Sequence, residues 1–109
     1  MENPKGKKLK LAVIGAGEGA MPILRRARKL DYVSTLAFGL PDSIGREIAD
    51  TFIETDIAEI DFIVNECDKH EVAGVIATSE STTEITAYIA HRLHLPGNDV
   101  AGGFGAKDK

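Results

Sequence analysis

Two kinds of hydrophobic pattern alternate along this chain. Short, nearly continuous apolar runs stand at residues 9–14, 32–38, 51–54 and 73–77. Between and after them, apolar side chains recur at helical spacing. The first such set is Ala20, Ile23, Leu24, Ala27 and Leu30, the second Ile57, Ile60, Ile63, Val64 and Cys67, and the third Ile85, Tyr88, Ile89 and Leu93. The continuous runs predict strands covered on both faces, and the spaced residues predict helices with one buried stripe. Val33, Leu36 and Phe38 are core candidates in the second strand. Ile44 and Ile48, one turn apart, predict a short helix after the loop at 39–43, with Ser43 or Asp42 as cap. Thr55 or Asp56 caps the helix after the third strand, and Ser81-Thr82-Thr83-Glu84 reads as a capping box that opens the last helix. The first helix is expected over about residues 18–30, with Pro22 in its first turn, where a missing N–H matters little.

Strand and helix thus alternate four times. That order predicts an α/β fold: a Rossmann-like, three-layer α/β/α domain on a doubly wound parallel sheet with right-handed connections. The expected strand order is 3-2-1-4, so the reversal falls between the first and fourth strands. Ligands of such sheets bind outside the carboxyl ends of the strands, at that reversal. The loop at residues 15–19 and the strand end Thr78-Ser79-Glu80 should therefore face each other. The domain is expected over residues 9–97. Residues 1–8 read as a flexible leader, and residues 98–109, glycine-rich and poor in apolar side chains, as a tail leading elsewhere.

The stretch Val13-Ile14-Gly15-Ala16-Gly17-Glu18-Gly19-Ala20 carries the strongest chemical signal. Its spacing, Gly-x-Gly-x-x-Ala, satisfies the relaxed dinucleotide fingerprint. Gly15 lets the chain leave the strand in a tight turn. Gly17 lets backbone N–H groups approach a ligand with no Cβ in the way, and Gly19 or Ala20 allows close helix–strand packing. A strand-to-helix turn can also require glycine for geometry alone. Glu18 would repel a phosphate and suits a ligand that carries an amine or a hydroxyl donor. Ser79 and Glu80, at the expected crevice, can bind a polar substrate or simply satisfy helix N–H groups.

Composition narrows the classes. A length of 109 residues allows one domain with a real core but is small for a complete enzyme. A net charge of −4 supplies no basic footprint, which argues against nucleic acid or an anionic membrane surface as partner. Arg25, Arg26, Arg28 and Lys29 fall at the end of the first helix, where cations suit the dipole. The single Cys67 excludes an internal disulfide and fits a reducing compartment, and its place in an apolar stripe makes it a core residue rather than a reactive thiol. No apolar run approaches membrane-spanning length and residues 1–10 contain no secretory core, so a soluble, cytoplasmic protein is expected.

Other chemistries are poorly supplied. A nicotinamide site needs an acid at the end of the second strand, roughly 20 residues past the glycines. Ala37-Phe38-Gly39-Leu40 stands there, and Asp42 beyond Pro41 reads better as a cap. His91 and His94 share a helix end with no third ligand at metal-site spacing, and His70 also lies at a helix end, so no metal site is expected. Ser79, Ser81 and Thr82 have no His–Asp arrangement nearby in the sequence.

Taken in order, the first strand with its glycine turn, Ala77-Thr78-Ser79-Glu80, the helix at 85–93 and Leu95-Pro96-Gly97-Asn98 resemble the N-terminal domain of ATP-grasp enzymes. These are carboxylate–amine ligases and proteins like carbamoyl-phosphate synthase or biotin carboxylase. The resemblance implies a parent ligase that activates a carboxylate with ATP and Mg²⁺ as an acyl phosphate, which an amine then attacks. Nucleotide is held by central and C-terminal domains, partners in cis that this chain does not include, so the chain alone is expected to be inactive and to hold no cofactor. By position, Gly15, Gly17, Glu18, Gly19, Ser79 and Glu80 would line the substrate side of the cleft. Asp108-Lys109 resembles the family's Asp-Lys pair, whose lysine reaches nucleotide phosphate. The family's second strand often ends in an acid, which Phe38-Gly39-Leu40-Pro41 lacks. Two further readings of the same residues are a free-standing Rossmann-type module that binds a nucleotide or small metabolite, and a domain that homodimerises through apolar surface.

Overall fold

The run Leu9–Ile14 forms the central strand, β1, of a parallel sheet; its second half, Ala12, Val13 and Ile14, is buried on both faces, while Leu9 at its start is exposed. The structure, a computed structural model, describes residues 8–95 together with the strand residues Gly97 and Asn98. After β1 come a 3-10 turn (Glu18–Ala20), α1 (Met21–Arg28), β2 (Val33–Gly39) and a second 3-10 turn (Ile44–Glu47). Then follow β3 (Thr51–Glu54), α2 (Ile60–His70), β4 (Gly74–Ala77), α3 (Glu80–Arg92) and β5 (Gly97–Asn98). The sheet order is β3-β2-β1-β4-β5, with every pair parallel. The four-strand order 3-2-1-4 is the expected one. A fifth, two-residue strand is added beside β4, where Val75 pairs with Gly97 and Ile76 with Asn98. Residues 1–7, Pro96 and 99–109, among them Lys109, lie outside the described residues.

Register assigns the two faces. Ala12 and Ile14 of β1 stand beside Leu36 and Phe38 of β2 and Val75 and Ala77 of β4. On that side Ile63, Val64 and Cys67 of α2 and Ile89 and Ala90 of α3 complete the larger core. Val13 and Ala37 point the other way, where Ala16, Ala20 and Leu24 pack against them. Thr35, buried in β2, is tied to the turn before β3: its N–H donates to Asp50 Oδ2 (2.9 Å), and the Asp50 N–H donates to Thr35 Oγ1 (3.0 Å).

Several local readings shift for identifiable reasons. The first helix is shorter than 18–30 because its opening turn is 3-10, closed by Ala20 N–H to Gly17 C=O (3.0 Å), ahead of Pro22. Ile44 is exposed rather than stacked with Ile48, since a 3-10 turn repeats every three residues, not four. Asp56 folds an Asx-type turn onto the Ala58 N–H (2.9 Å), so α2 starts only at Ile60 and Ile57 packs against the core from outside the helix. Tyr88, expected inward, is 48% exposed: Thr82, Thr86, Ile89 and Ala90 occupy the sheet-facing stripe of α3, and the Tyr88 ring lies under the Arg92 guanidinium. No helix among the described residues is long and apolar enough to cross a membrane.

Candidate functional site

Two adjacent strand ends build the centre of the site. β1 leaves the sheet at Gly15, whose φ of +102° favours glycine, while its N–H still donates to Phe38 C=O (2.9 Å). β4 ends at Ala77, and the next residue, Thr78, turns its hydroxyl back across the sheet to donate to Ile14 C=O (2.9 Å). A Cβ on Gly15 would lie 2.8 Å from Thr78 Oγ1, and one on Gly19 would collide with the Thr78 carbonyl oxygen. Those two glycines thus have a packing reason. Gly17 has none, because a Cβ there meets nothing within 4 Å.

The loops expected to face each other across the sheet reversal are therefore in contact. Ser79 is the N-cap of α3, and Glu80 is its first residue. The cap is built on Thr82, whose Oγ1 accepts from the Thr78 N–H (3.0 Å) and the Ser79 N–H (3.1 Å). The Thr83 hydroxyl donates to Ser79 C=O (3.0 Å). The capping box consequently stands two residues earlier than Ser81-Thr82-Thr83-Glu84. Thr82 takes the part expected of Glu84, because the Thr78 tie to β1 ends the strand too early for a longer lead-in. Ser81 sits inside the first turn, its Oγ 3.0 Å from Ser79 Oγ. Glu18 and Glu80 each occupy the first turn of a helical segment and are exposed, Glu80 where the α3 dipole favours an anion. The contacting loops thus present a half-buried serine and two exposed carboxylates, groups that accept hydrogen bonds from amines and hydroxyls.

Open space lies on the other side of the glycine loop. A cavity of about 280 Å³ is bounded by Gly15, Ala16 and Gly17 after β1, by Gly39, Leu40 and Ser43 after β2, and by Thr55, Asp56 and Ile57 after β3. Gly15 and Gly17 are the two candidate residues that reach it; Glu18, Gly19, Ser79 and Glu80 do not line it. Its floor is the join of β2 to β3, held by Thr55 N–H to Gly39 C=O (2.8 Å). Asp56 is the residue that sequence reasoning missed. A signal existed: β3 is the outer neighbour of β2, so the loop after Glu54 opens beside the loop after Gly39.

Cys67 is fully buried in the larger core, and burial, reinforced by the neighbouring Glu66 carboxylate, pushes its thiol up to about 12. His91 and His94 are exposed at the end of α3. Among the described residues no three His, Cys, Asp or Glu side chains converge as a metal site.

No family model and no curated protein matches the chain. Solved structures do. Phosphoribosylglycinamide synthetase from Anaerococcus prevotii superposes with a TM-score of 0.70 at 21% identity, over 85% of this chain and 24% of that one. MurG from Acinetobacter baumannii superposes with a TM-score of 0.66 at 12% identity, over 84% of this chain and 34% of that one. The fold is shared with both, and the chain spans about a quarter of the synthetase and a third of MurG.

Proposed function

We propose that this chain is the N-terminal, substrate-side domain of an ATP-dependent ligase of the ATP-grasp superfamily, which activates a carboxylate as an acyl phosphate for attack by an amine. The observation that carries the reading is the joint between the two strand ends. Thr78 clamps the glycine loop of β1 to the start of α3 (2.9 Å to Ile14 C=O), so Glu18, Ser79 and Glu80 are presented together on one end of the sheet. Likeness in fold to a synthetase that forms a glycinamide, over 85% of this chain, supports it. So does the ordered resemblance of the glycine turn, residues 77–80 and Leu95-Pro96-Gly97-Asn98 to that superfamily's N-terminal domain.

In this reading the chain binds the amine-bearing substrate and leaves ATP and Mg²⁺ to further domains in cis. Glu18 and Glu80 accept from the substrate's ammonium or hydroxyl groups. Carboxylates are the right partners there, because an amine substrate arrives as its ammonium ion and must give up a proton to a base before its nitrogen can attack. The test compares the 109-residue chain with the product of its complete gene. ADP release and hydroxylamine trapping of an acyl phosphate are measured over a panel of carboxylates and amines. Turnover is expected only from the complete product, with Glu80→Gln raising KM for the amine at least tenfold and leaving KM for ATP unchanged. ATP turnover by the 109-residue chain itself, abolished by changes at Glu18 or Glu80, would overturn the reading.

A further inference from the structure

We propose that the cavity beside the glycine loop binds a phosphate-free ligand with a vicinal diol, of the size of one nucleoside, and that Asp56 accepts from the diol. The inference stands without the ligase reading, because it concerns the β1–β2–β3 side of the sheet rather than the joined ends of β1 and β4.

Three observations carry it. First, the sheet order places the ends of β1, β2 and β3 side by side, and their loops surround one cavity of about 280 Å³. Small-molecule pockets span roughly 300–1,000 Å³. At about 280 Å³ the space stands at the lower edge of that range, which limits its occupant to one of the size of a single nucleoside and is too small for a dinucleotide. Second, the polar and apolar groups are divided as such a ligand needs. Ala16, Leu40 and Ile57 offer apolar wall, and Leu40, at 55%, is the most exposed large apolar residue among those described. Asp56 is the one charged side chain on the lining. Its Oδ1 is fixed by the Ala58 N–H (2.9 Å), and among the described residues nothing donates to its Oδ2. A carboxylate held by one oxygen accepts from adjacent hydroxyls with the other. No lysine, arginine or histidine lines the space, so a phosphate would meet Asp56 uncompensated.

Third, Gly17 is vacant for no internal reason. Its backbone is extended (φ −84°, ψ −156°), a conformation open to any residue, and a Cβ there would touch no protein atom within 4 Å. Gly17 lines the cavity, so a side chain added there would stand at its rim. The acid that the end of β2 lacks is thus supplied from the end of β3, one strand further out.

The experiment uses the 109-residue chain and four probes: adenosine, uridine, 2′,3′-dideoxyadenosine and AMP, with binding read by calorimetry and unfolding by urea. Adenosine or uridine should bind at least tenfold more tightly than the dideoxynucleoside and than AMP. Asp56→Asn, which retains an acceptor for the Ala58 N–H, should weaken that binding at least tenfold. Gly17→Val should abolish it with the urea midpoint unchanged. Equal binding of the dideoxynucleoside, undiminished binding by Asp56→Asn, or no heat from any probe at millimolar concentration would overturn the proposal. None of these results bears on amine-dependent ADP release by the complete gene product, so the two readings fail separately.

Discussion

Thr78 Oγ1 donates to the carbonyl of Ile14 at 2.9 Å, immediately under the turn at Gly15. One hydroxyl thereby locks the end of β4 to the end of β1 and fixes where both the glycine loop and α3 begin. The carbonyl it satisfies belongs to a residue with no exposed surface, so losing the donor leaves a buried acceptor unpaired.

Thr78→Val, which keeps the shape and removes the hydroxyl, should destabilise the domain by about 1–3 kcal/mol. Gly15→Ala should be worse. It forces a Cβ onto a backbone at φ +102° and to within 2.8 Å of Thr78 Oγ1. Backbone strain of this kind alone is on the order of 1–3 kcal/mol. Adding Thr78→Ala to Gly15→Ala should relieve the contact and recover part of the loss, leaving the backbone strain. Urea denaturation of the single and double variants measures this, and a Gly15→Ala domain as stable as the parent would contradict the geometry.

A second tie holds the outer strand. The Asp50 carboxylate accepts from the Thr35 N–H (2.9 Å) and receives the Thr35 hydroxyl at 3.3 Å, while Thr35 Oγ1 accepts from the Asp50 N–H. Thr35 is 2% exposed, so its N–H has no access to water if Asp50 is truncated. Asp50→Ala should lower stability by about 1–3 kcal/mol, the range for a buried donor left unpaired, and Asp50→Asn by less because an amide oxygen can still accept. Amide exchange at Thr35 is the specific readout: it should accelerate in Asp50→Ala before exchange in β1 changes.

Much of the architecture was legible because it is written locally. The nearly continuous apolar run at Leu9–Ile14 marks a strand whose second half is buried on both faces, and the glycine after it marks a turn that favours glycine. The order of the four longer strands follows from short crossovers. Helix boundaries were less legible. Ser79 and Ser81 are both followed three residues later by a capping partner, and only the hydrogen bond from Thr78 to β1 decides between them. Tyr88 shows the same limit, since its apolar character satisfied a helical pattern that α3 turns away from the sheet. The cavity was illegible for a different reason. Gly17, Leu40 and Asp56 lie in three loops far apart in sequence, and only the parallel pairing of β1, β2 and β3 brings them together.

Thr86 is a buried exception to polar pairing. It is 1% exposed on the sheet-facing side of α3, and its hydroxyl finds no hydrogen-bond partner among the described residues. An unpaired buried hydroxyl is a penalty of about 1–3 kcal/mol. Thr86→Val removes the hydroxyl and keeps the branched shape, so it should stabilise the domain by about 1 kcal/mol, less the small loss of helix preference. A higher urea midpoint with an unchanged slope is the expected result, and a lower midpoint would mean that the hydroxyl has a partner in the folded protein.

Cys67 gives the fold a pH signature with a definite sign. Burial first, and then the Glu66 carboxylate beside it, hold its thiol protonated up to about 12 against an ordinary value of 9.0. Between those two values the folded state keeps a proton that the unfolded state has released. Folding then binds protons, so stability falls as pH rises through that window, and it is fully present below the ordinary thiol value. Cys67→Ala removes this dependence but also opens space in a core where Cys67 has no exposed surface, so it is less stable at neutral pH. Cys67→Val fills the site without a titrating group and is the cleaner comparison. Denaturation midpoints taken from pH 7 to pH 11 should fall more steeply for the parent than for Cys67→Val. Labelling gives the second check. At pH 8 a thiol reagent should react with the native chain only as fast as it opens, and stoichiometrically in denaturant, because the thiolate that attacks does not form in the core. Rapid labelling of the native chain would place Cys67 at the surface and remove the pH argument with it.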